Sequence, residues 1–369
     1  MSLSGQGPDG LPGGLWGRLP NIRRGAAARR AATFAILGLL LVVVALYSTF
    51  HGVARIPVGT GVAALLSPLL PAGWRPDVPA ASVAILTTLR LPRTLLALIA
   101  GAGLAVAGAA MQGITRNPLV SPYTIGISPA ASFGASVAIL MAADHGMASY
   151  APVVVAAFLA ALACAAFVLG LSALRGVTGT VLVLAGVGLS YLFGALAATL
   201  QFIATEQQLA VIVHWAFGSV NGATWPAVQV TGVVLAIVLP VLAAHAWALN
   251  AFAAGGDEVA SSLGFAVART RIVVTVCAVL ITAAIVSYAG VIGFVGLVAP
   301  HIGRLMVGGD HRVLLPFSAM AGALLLLLAD LTGRLLFAPV VVPAGIVVAY
   351  LGVPVFLHLL LGRTRGASS

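Results

Sequence analysis

The sequence contains no lysine, and its 8 acidic residues are outnumbered by 18 arginines. Over 369 residues, only 7% are charged and 61% are hydrophobic, which is too little charge to cover a soluble domain of this length. Without lysine the phosphate-binding loop GxxxxGK[ST] cannot form, so we expect no nucleotide hydrolysis by this chain. The shortage of charge therefore predicts an integral membrane protein, and the missing lysine excludes a P-loop ATPase.

Cysteine is also scarce. The two cysteines, Cys164 and Cys277, lie within apolar runs and have no cysteine or histidine neighbour at the spacing of metal ligands. None of the 7 histidines belongs to an HExxH pair. We therefore expect this chain to hold no metal and no cofactor, and we interpret the cysteines as packing residues.

Ionisable residues are nearly missing from the long apolar runs. Secondary transporters place such residues near the middle of the bilayer as proton or ion relays. The one acid close to the interior of a run is Asp330, and Arg334 follows it by one helical turn, so a local ion pair is the simpler interpretation. A secondary transporter driven by an ion gradient remains the alternative.

The arginines, which give a net charge of +10, lie in short segments between apolar runs. A nucleic-acid-binding protein would cluster them with aromatic residues on a soluble surface, so we expect no nucleic-acid partner. Five arginines precede the first apolar run, and positive charge marks cytoplasmic segments. We predict a cell-membrane protein with a disordered cytoplasmic tail over residues 1–30, a membrane domain over residues 31–365 and a short tail over residues 366–369.

Hydropathy predicts about ten membrane-spanning helices with both termini in the cytoplasm. We also expect a short outer helix between residues 204 and 225, a broken third span because of Pro129, and a turn at Pro300 and His301. With five spans in each half, structural repeats would have to be inverted relative to each other. The apolar segments are 31–50, 94–111, 123–142, 151–174, 180–203, 228–249, 272–289, 291–300, 313–329 and 341–361.

Residues 89–126 form the stretch around which the chain is organised. About 18 uncharged residues at ~1.5 Å each cover most of a ~30 Å hydrocarbon core. Within this run, Gly101, Gly103 and Gly108 should let neighbouring helices approach closely. The helix is predicted to end at Gln112. The polar turn that follows contains Arg116, Asn117, Pro118, Ser121 and Pro122.

The longest cytoplasmic connection, residues 250–271, carries a candidate contact for a partner protein. Asp257 and Glu258 open a short helical segment, whose first turn favours acids, and Gly264 can end it. The alternative is a solvated connector, and periodicity alone does not separate the two interpretations.

Three long stretches resemble the FecCD-type permeases, the membrane subunits of type II ABC importers for iron siderophores, haem and cobalamin. The stretches are LRLPR with GAGLAVAGAAMQGITRNPLVSPYTIGI (89–127), LAGVGLS with WAFGSVNGATW (184–190 and 215–225), and GVIGFVGLVAPHIGRLMVGGDHRVLLP (290–316). The resemblance implies an all-α type II permease fold of ten helices in two inverted five-helix halves.

The same resemblance implies a set of partners. These are a second permease copy or a paralogue, two copies of an ATPase subunit that binds ATP and Mg²⁺, an extracytoplasmic substrate-binding protein and the lipid bilayer. A ferric siderophore is the expected substrate, with haem or cobalamin as the alternative. Val341 stands where the family usually has an acid. The alternative to a homodimer is therefore a heterodimer with a paralogue that keeps the acid.

The resemblance also implies roles for individual residues. The expected ATPase-coupling residues are Asp257, Glu258, Ser261, Leu263 and Gly264. Arg90 and Arg334 are expected to dock the substrate-binding protein; the alternative is that both only anchor helix ends. The expected structural motif residues are Gln112, Arg116, Asn117, Pro118, Pro122, Gly126, Gly296, Pro300, His301, Arg304 and Asp330.

Overall fold

The computed structural model describes residues 14–52, 56–67, 71, 77–144, 150–176, 178–336 and 339–364. Within these residues there are fourteen α-helices and no β-strand. A π-helical segment joins α3 to α4, and a 3-10 turn, Pro122–Ile125, precedes α5. The helices are α1 (Gly14–Phe50), α2 (Val58–Leu66), α3 (Ala80–Ala84), α4 (Leu91–Thr115), α5 (Ile127–Asp144), α6 (Ala151–Arg175), α7 (Gly179–Ile203), α8 (Glu206–Ala216), α9 (Trp225–Ala244), α10 (Ala246–Ser262), α11 (Val267–Ala289), α12 (Val295–Val307), α13 (His311–Leu335) and α14 (Ala344–Thr364).

Ten of these elements account for the predicted membrane crossings. Seven are long and apolar enough to cross a bilayer: α1, the joined α3 and α4, α6, α7, α9, α11 and α13. Three shorter apolar helices lie in α5, α12 and α14. The predicted all-α membrane fold with about ten crossings is therefore confirmed.

Helix α4 lies at the centre of the bundle, with 78% of its most apolar window buried, and it packs against α13, α11 and α12. A methyl group at Gly101 would collide with the backbone of Gly322 on α13, and one at Gly108 would collide with the backbone of Gly296 on α12. At Gly103, an added methyl group would lie 2.7 Å from the side chain of Ile281 on α11. The predicted close approach of neighbouring helices is confirmed, and it is possible because glycine has no side chain at these positions.

The second membrane crossing is deeply buried in both halves of the chain. Helix α4 is the second crossing of the first half, and α11 is the second crossing of the other half. They are the two most buried of the seven long candidate spans, at 78% and 72%. This correspondence is what two structural repeats predict.

Several predicted boundaries differ from the structure. Helix α1 begins at Gly14, whereas we predicted a disordered tail as far as residue 30; alanine and arginine are good helix formers, and they dominate residues 23–32. Residues 1–13 lie outside the described part of the chain. Helix α4 continues from Gln112 to Thr115. The tail 366–369 also lies outside the described part.

Two predictions about proline were wrong. Pro129 does not break the third span, because it lies in the first turn of α5, where a backbone N–H has no helical acceptor. Pro300 and His301 do not form a turn, because both lie inside α12, which continues to Val307. The predicted short helix after the fifth span is confirmed as α8, which begins with a capping box between Thr205 and Gln208.

Candidate functional site

Two polar clusters lie at opposite ends of the bundle. We call them the α10 end, where α4 finishes and α11 and α13 begin, and the α8 end, where α4 begins and α1 and α13 finish. All of the residues that the sequence singled out for coupling or docking lie at one end or the other.

At the α10 end, Gly256 separates two parts of α10. Its backbone has φ 77° and ψ −153°, a conformation that glycine adopts far more readily than other residues. A short helical segment, residues 257–262, follows and is capped by Leu263, and Gly264 with φ 83° turns the chain away. The prediction that acids open this segment and that Gly264 ends it is confirmed.

The five predicted coupling residues share one property, which is exposure. Leu263 is 63% exposed although it is a large apolar side chain, and Glu258 and Ser261 are exposed beside it. Asp257 and Gly264 are exposed as well. All five residues are therefore accessible to another protein, although a single exposed leucine is common on protein surfaces. Their role as ATPase contacts stays a prediction.

Arg271 joins this segment to the central helix. Its Nη1 and Nη2 atoms donate to the two carboxylate oxygens of Asp257 at 3.0 and 2.6 Å. Its Nε and Nη2 atoms also donate to the backbone carbonyl of Ile114 in the last turn of α4, at 3.4 and 3.3 Å. The Arg271 side chain is only 4% exposed. Arg271 therefore connects Asp257 to the last turn of α4 through a buried, hydrogen-bonded side chain. Sequence reasoning assigned no role to Arg271.

A second contact links the same elements. Arg116 has a left-handed backbone with φ 53° and ends α4. Its guanidinium lies so close to Gly256 that a Cβ atom there would be 2.5 Å from Nη1. In the turn beyond, the Asn117 side chain accepts a hydrogen bond from the backbone of Leu119 at 2.9 Å. The motif that follows α4 thus positions Arg116 against the break in α10. Pro118 lies in this turn, Pro122 opens the 3-10 turn and Gly126 ends it.

A hydrogen-bonded group of four residues joins α4 to α12: Gln112, Gly296, Pro300 and Arg304. Because Pro300 has no N–H, it cannot donate to the carbonyl of Gly296 four residues earlier. The Gln112 side chain supplies that donor at 3.2 Å, and the Gln112 carbonyl oxygen accepts from Arg304. The structure brings these four predicted motif residues together, and a missing backbone donor explains why glutamine stands at position 112. His301 lies next in α12 and is half-buried.

Asn250 ties α10 to the start of α13. It donates to Asp310 at 2.7 Å and accepts from the backbone N–H of His311 at 2.8 Å. Hydrogen bonds from the Arg312 side chain, with further ones from Asn250 and the Arg312 backbone, hold the pKa of Asp310 well below its usual value. The carboxylate therefore remains charged at neutral pH, where it caps α13.

At the α8 end, Asp330 is 2% exposed and lies between two arginines. Arg334 Nε is 3.2 Å from Asp330 Oδ2, which confirms the predicted ion pair along one helix. Arg93 on α4 approaches the same carboxylate, with Nη2 2.8 Å from Oδ1. Arg93 also donates to the side chain of Asn221. Sequence reasoning missed Arg93 and Asn221, since their partners are distant in the chain.

Arg90 and Arg334 are both buried, at 7% and 8% exposure. Arg90 Nη1 donates to the carbonyl of Phe50 at 2.6 Å, and Arg334 Nη2 donates to the hydroxyl of Ser48 at 2.6 Å. Both arginines therefore hold the last turn of α1, as the anchoring interpretation expects. Docking of a binding protein at these arginines stays a prediction.

Comparison with known proteins gives the same fold and adds a family. A Methanocaldococcus jannaschii protein described as an ABC transporter permease is 44% identical over 75% of this chain and 81% of its own length. The cobalamin import system permease protein BtuC of Halobacterium salinarum is 36% identical over 92% of this chain and 98% of its own length.

A solved metal-chelate type ABC transporter in an inward-facing conformation has the same architecture. It superimposes with a TM-score of 0.78 and 32% identity, and the match covers 90% of this chain and 99% of the solved chain. This chain therefore has the type II ABC importer permease fold. The FecCD transport family matches residues 40–362, and since this range covers most of the sequence, the chain belongs to that family of multi-pass membrane transport proteins.

Proposed function

We propose that this chain is the permease subunit of an ABC importer that passes a metal chelate from a binding protein into the cytoplasm. The observation that carries this proposal is the exposed segment after Gly256, tied by Arg271 to the most buried helix of the bundle. A surface built in this way can receive a partner's movement and pass it into the membrane domain.

The α10 end faces the cytoplasm in this proposal, and both termini lie there. In the topology predicted from hydropathy, thirteen of the 18 arginines lie in cytoplasmic segments, as the positive-inside tendency of membrane proteins favours. The α8 end then faces outward, where the extracytoplasmic binding protein delivers its cargo.

The free energy for transport comes from ATP hydrolysis by a separate ATPase subunit, which is present in two copies and binds ATP with Mg²⁺. Closure of the two ATPase subunits displaces the segment 257–262, and Arg271 transmits the displacement to the end of α4. Because α4 contacts α13 and α12 backbone to backbone, these helices move as one body. Rigid-body rearrangement of this kind switches a path between two permease subunits from outward-facing to inward-facing.

Selection of the substrate is left to the binding protein. The long spans carry few polar side chains, so a passage between two permease copies, or between this chain and a paralogue, offers little specific adhesion. We propose a ferric siderophore as the cargo, with haem or cobalamin as the alternative. The cobalamin permease relative and the metal-chelate transporter support a chelated metal as the shared chemistry.

Arg90 and Arg334 dock the binding protein from the rim of the α8 end. Together with Arg93 they outnumber Asp330, so the cluster has excess positive charge that attracts acidic groups on a partner. Because both arginines also anchor α1, the test compares Arg334→Gln with Arg334→Glu in variants with normal melting temperatures. At low salt, we expect both variants to bind the binding protein more weakly than the unmodified chain does, and Arg334→Glu to bind it most weakly. If both variants bind it as tightly as the unmodified chain, Arg334 is not part of the docking surface.

The function is tested by uptake into proteoliposomes that contain this chain and its ATPase subunit. We expect accumulation of labelled ferric siderophore, haem or cobalamin to require ATP and the binding protein, and to continue when an ionophore removes the proton gradient. Uptake by the chain alone that follows a proton gradient and ignores ATP would favour a secondary transporter. Comparison of the three labelled substrates identifies the cargo.

A further inference from the structure

An apolar groove runs along the outer surface of the bundle, between α1 and α12 and over α13. It encloses about 360 Å³ and is lined by Leu37, Leu40, Met306, Phe317, Ala321 and Leu325, among others. On α13 the lining extends from Phe317 to Leu328, which is roughly 16 Å at ~1.5 Å per residue. The groove is therefore long and narrow, and it lies parallel to the spans.

The groove exists because α1 is attached to the bundle by few contacts. Only 6% of the most apolar window of α1 is buried. Phe34 packs edge-on against Phe317, with ring centroids 5.5 Å apart, and Gly38 lies against Met320. Beside these contacts, α1 stands away from α12 and leaves space that the protein's own side chains do not fill.

Positive charge lies at the α10 end of this groove. Arg29 precedes Thr33, which lines the groove, by one turn, and the Thr33 hydroxyl donates to the Arg29 carbonyl at 2.9 Å. Arg30 extends its guanidinium beside Gly308, just beyond the groove residue Met306. Both arginines are exposed and form no ion pair with any described residue. The sequence has no acid between Asp9 and Asp77.

We propose that this groove binds one anionic phospholipid. An acyl chain fills the apolar space against Ala321 and Leu325, and Arg29 and Arg30 bind the phosphate of the headgroup. Positive side chains beside an apolar cleft between membrane helices match the charge and the shape of such a lipid. The bound lipid completes the packing of α1 against α12 and α13. This inference does not depend on the transported substrate.

The test is lipid retention by the purified full-length chain, measured by native mass spectrometry after exposure to equal amounts of phosphatidylglycerol and phosphatidylcholine. We expect the unmodified chain to retain phosphatidylglycerol at least about fivefold over phosphatidylcholine, and Arg29→Gln with Arg30→Gln to lose that preference. The matched control is Arg363→Gln with Arg365→Gln, which removes the same charge near the C terminus and should keep the preference.

A second pair of variants tests the groove itself. Ala321→Leu fills it and should reduce retention of phosphatidylglycerol about as much as the double arginine variant, while Ala35→Leu, on an exposed part of α1 outside the lining, should not. Equal retention of the two lipids by the unmodified chain would overturn the proposal. The proposal would also be overturned if retention of phosphatidylglycerol fell equally in the double arginine variant and in its control. Binding would then depend on the net charge of the protein and not on Arg29 and Arg30.

Discussion

Arg271 is the residue at which the α10 segment meets the central helix. Its side chain is buried and donates to Asp257 and to the end of α4, whereas the Asp257 carboxylate is 46% exposed. We predict that Arg271→Gln costs about 2 kcal/mol of stability, because charged hydrogen bonds in a buried position are lost. Asp257→Asn should cost less, about 1 kcal/mol or below, since solvent screens that carboxylate.

The functional effect of these variants should exceed the loss of stability. In proteoliposomes that also contain the ATPase subunit, we expect the complex with Arg271→Gln to show much less uptake for each ATP that the ATPase subunit hydrolyses. The complex with Arg269→Gln should behave like the unmodified one. Arg269 is a suitable control because it is exposed on the same helix. Normal uptake per ATP in Arg271→Gln would mean that movement reaches α4 by another contact.

Asp330 neutralises part of a buried positive cluster. Asp330→Asn would leave Arg93 and Arg334 without their carboxylate, and breaking a buried ion pair from one side costs about 3–5 kcal/mol. We expect a large fall in melting temperature in detergent and a low yield of folded protein. Glu206→Gln, at an exposed helix start, should change stability by less than about 0.5 kcal/mol. A melting temperature for Asp330→Asn equal to that of the control would contradict this.

For individual residues, the sequence predicts only contacts between residues that are close together in the chain. The pair of Asp330 and Arg334 follows from a spacing of one helical turn. Arg93 lies 237 positions from Asp330, and Arg271 lies 157 positions from Ile114, so neither contact has a local pattern that could reveal it. Such partners are set by how the helices pack.

At the scale of elements, the glycines of α4 decide how closely its neighbours approach. Gly101→Val places its side chain where the backbone of Gly322 lies, so α4 and α13 must separate. We expect a loss of at least about 1–3 kcal/mol, because overpacking a close contact forces backbone shifts. The measurement is thermal unfolding in detergent.

The matched control for this prediction is Gly170→Val. Gly170 lies in the second half of α6, and a Cβ atom added there would meet nothing within 4 Å. Both variants introduce valine into a membrane helix, so only the contact differs. Equal stability of the two variants would show that the approach of α4 to α13 is not tight.

Helix existence was predictable from hydropathy, but the effect of proline was not. A run of apolar residues marks a span whatever its neighbours are. Pro300 was expected to form a turn, yet α12 continues through it because Gln112, on another helix, satisfies the carbonyl that Pro300 leaves without a donor. The exact ends of α4 and α12 depend on such partners.

At the scale of the whole molecule, the bundle has two polar ends with different properties. The α8 end is closed by buried arginines that hold α1, while the α10 end presents an exposed segment connected to the central helix. The family resemblance predicts that the α10 end contacts an ATPase subunit, and this stays a prediction. The hydrogen bonds of Arg271 that join that end to α4 connect residues far apart in the sequence, so only the structure reveals them.

Site-directed cross-linking between this chain and its ATPase subunit tests the central claim most directly. Ser261→Cys lies in the exposed segment and Gln207→Cys lies exposed on α8, while the native Cys164 and Cys277 are buried and give little background. We predict that Ser261→Cys cross-links to the ATPase subunit, that the yield changes when ATP is added, and that Gln207→Cys gives no product. A cross-link from Gln207→Cys with none from Ser261→Cys would contradict the proposed coupling surface.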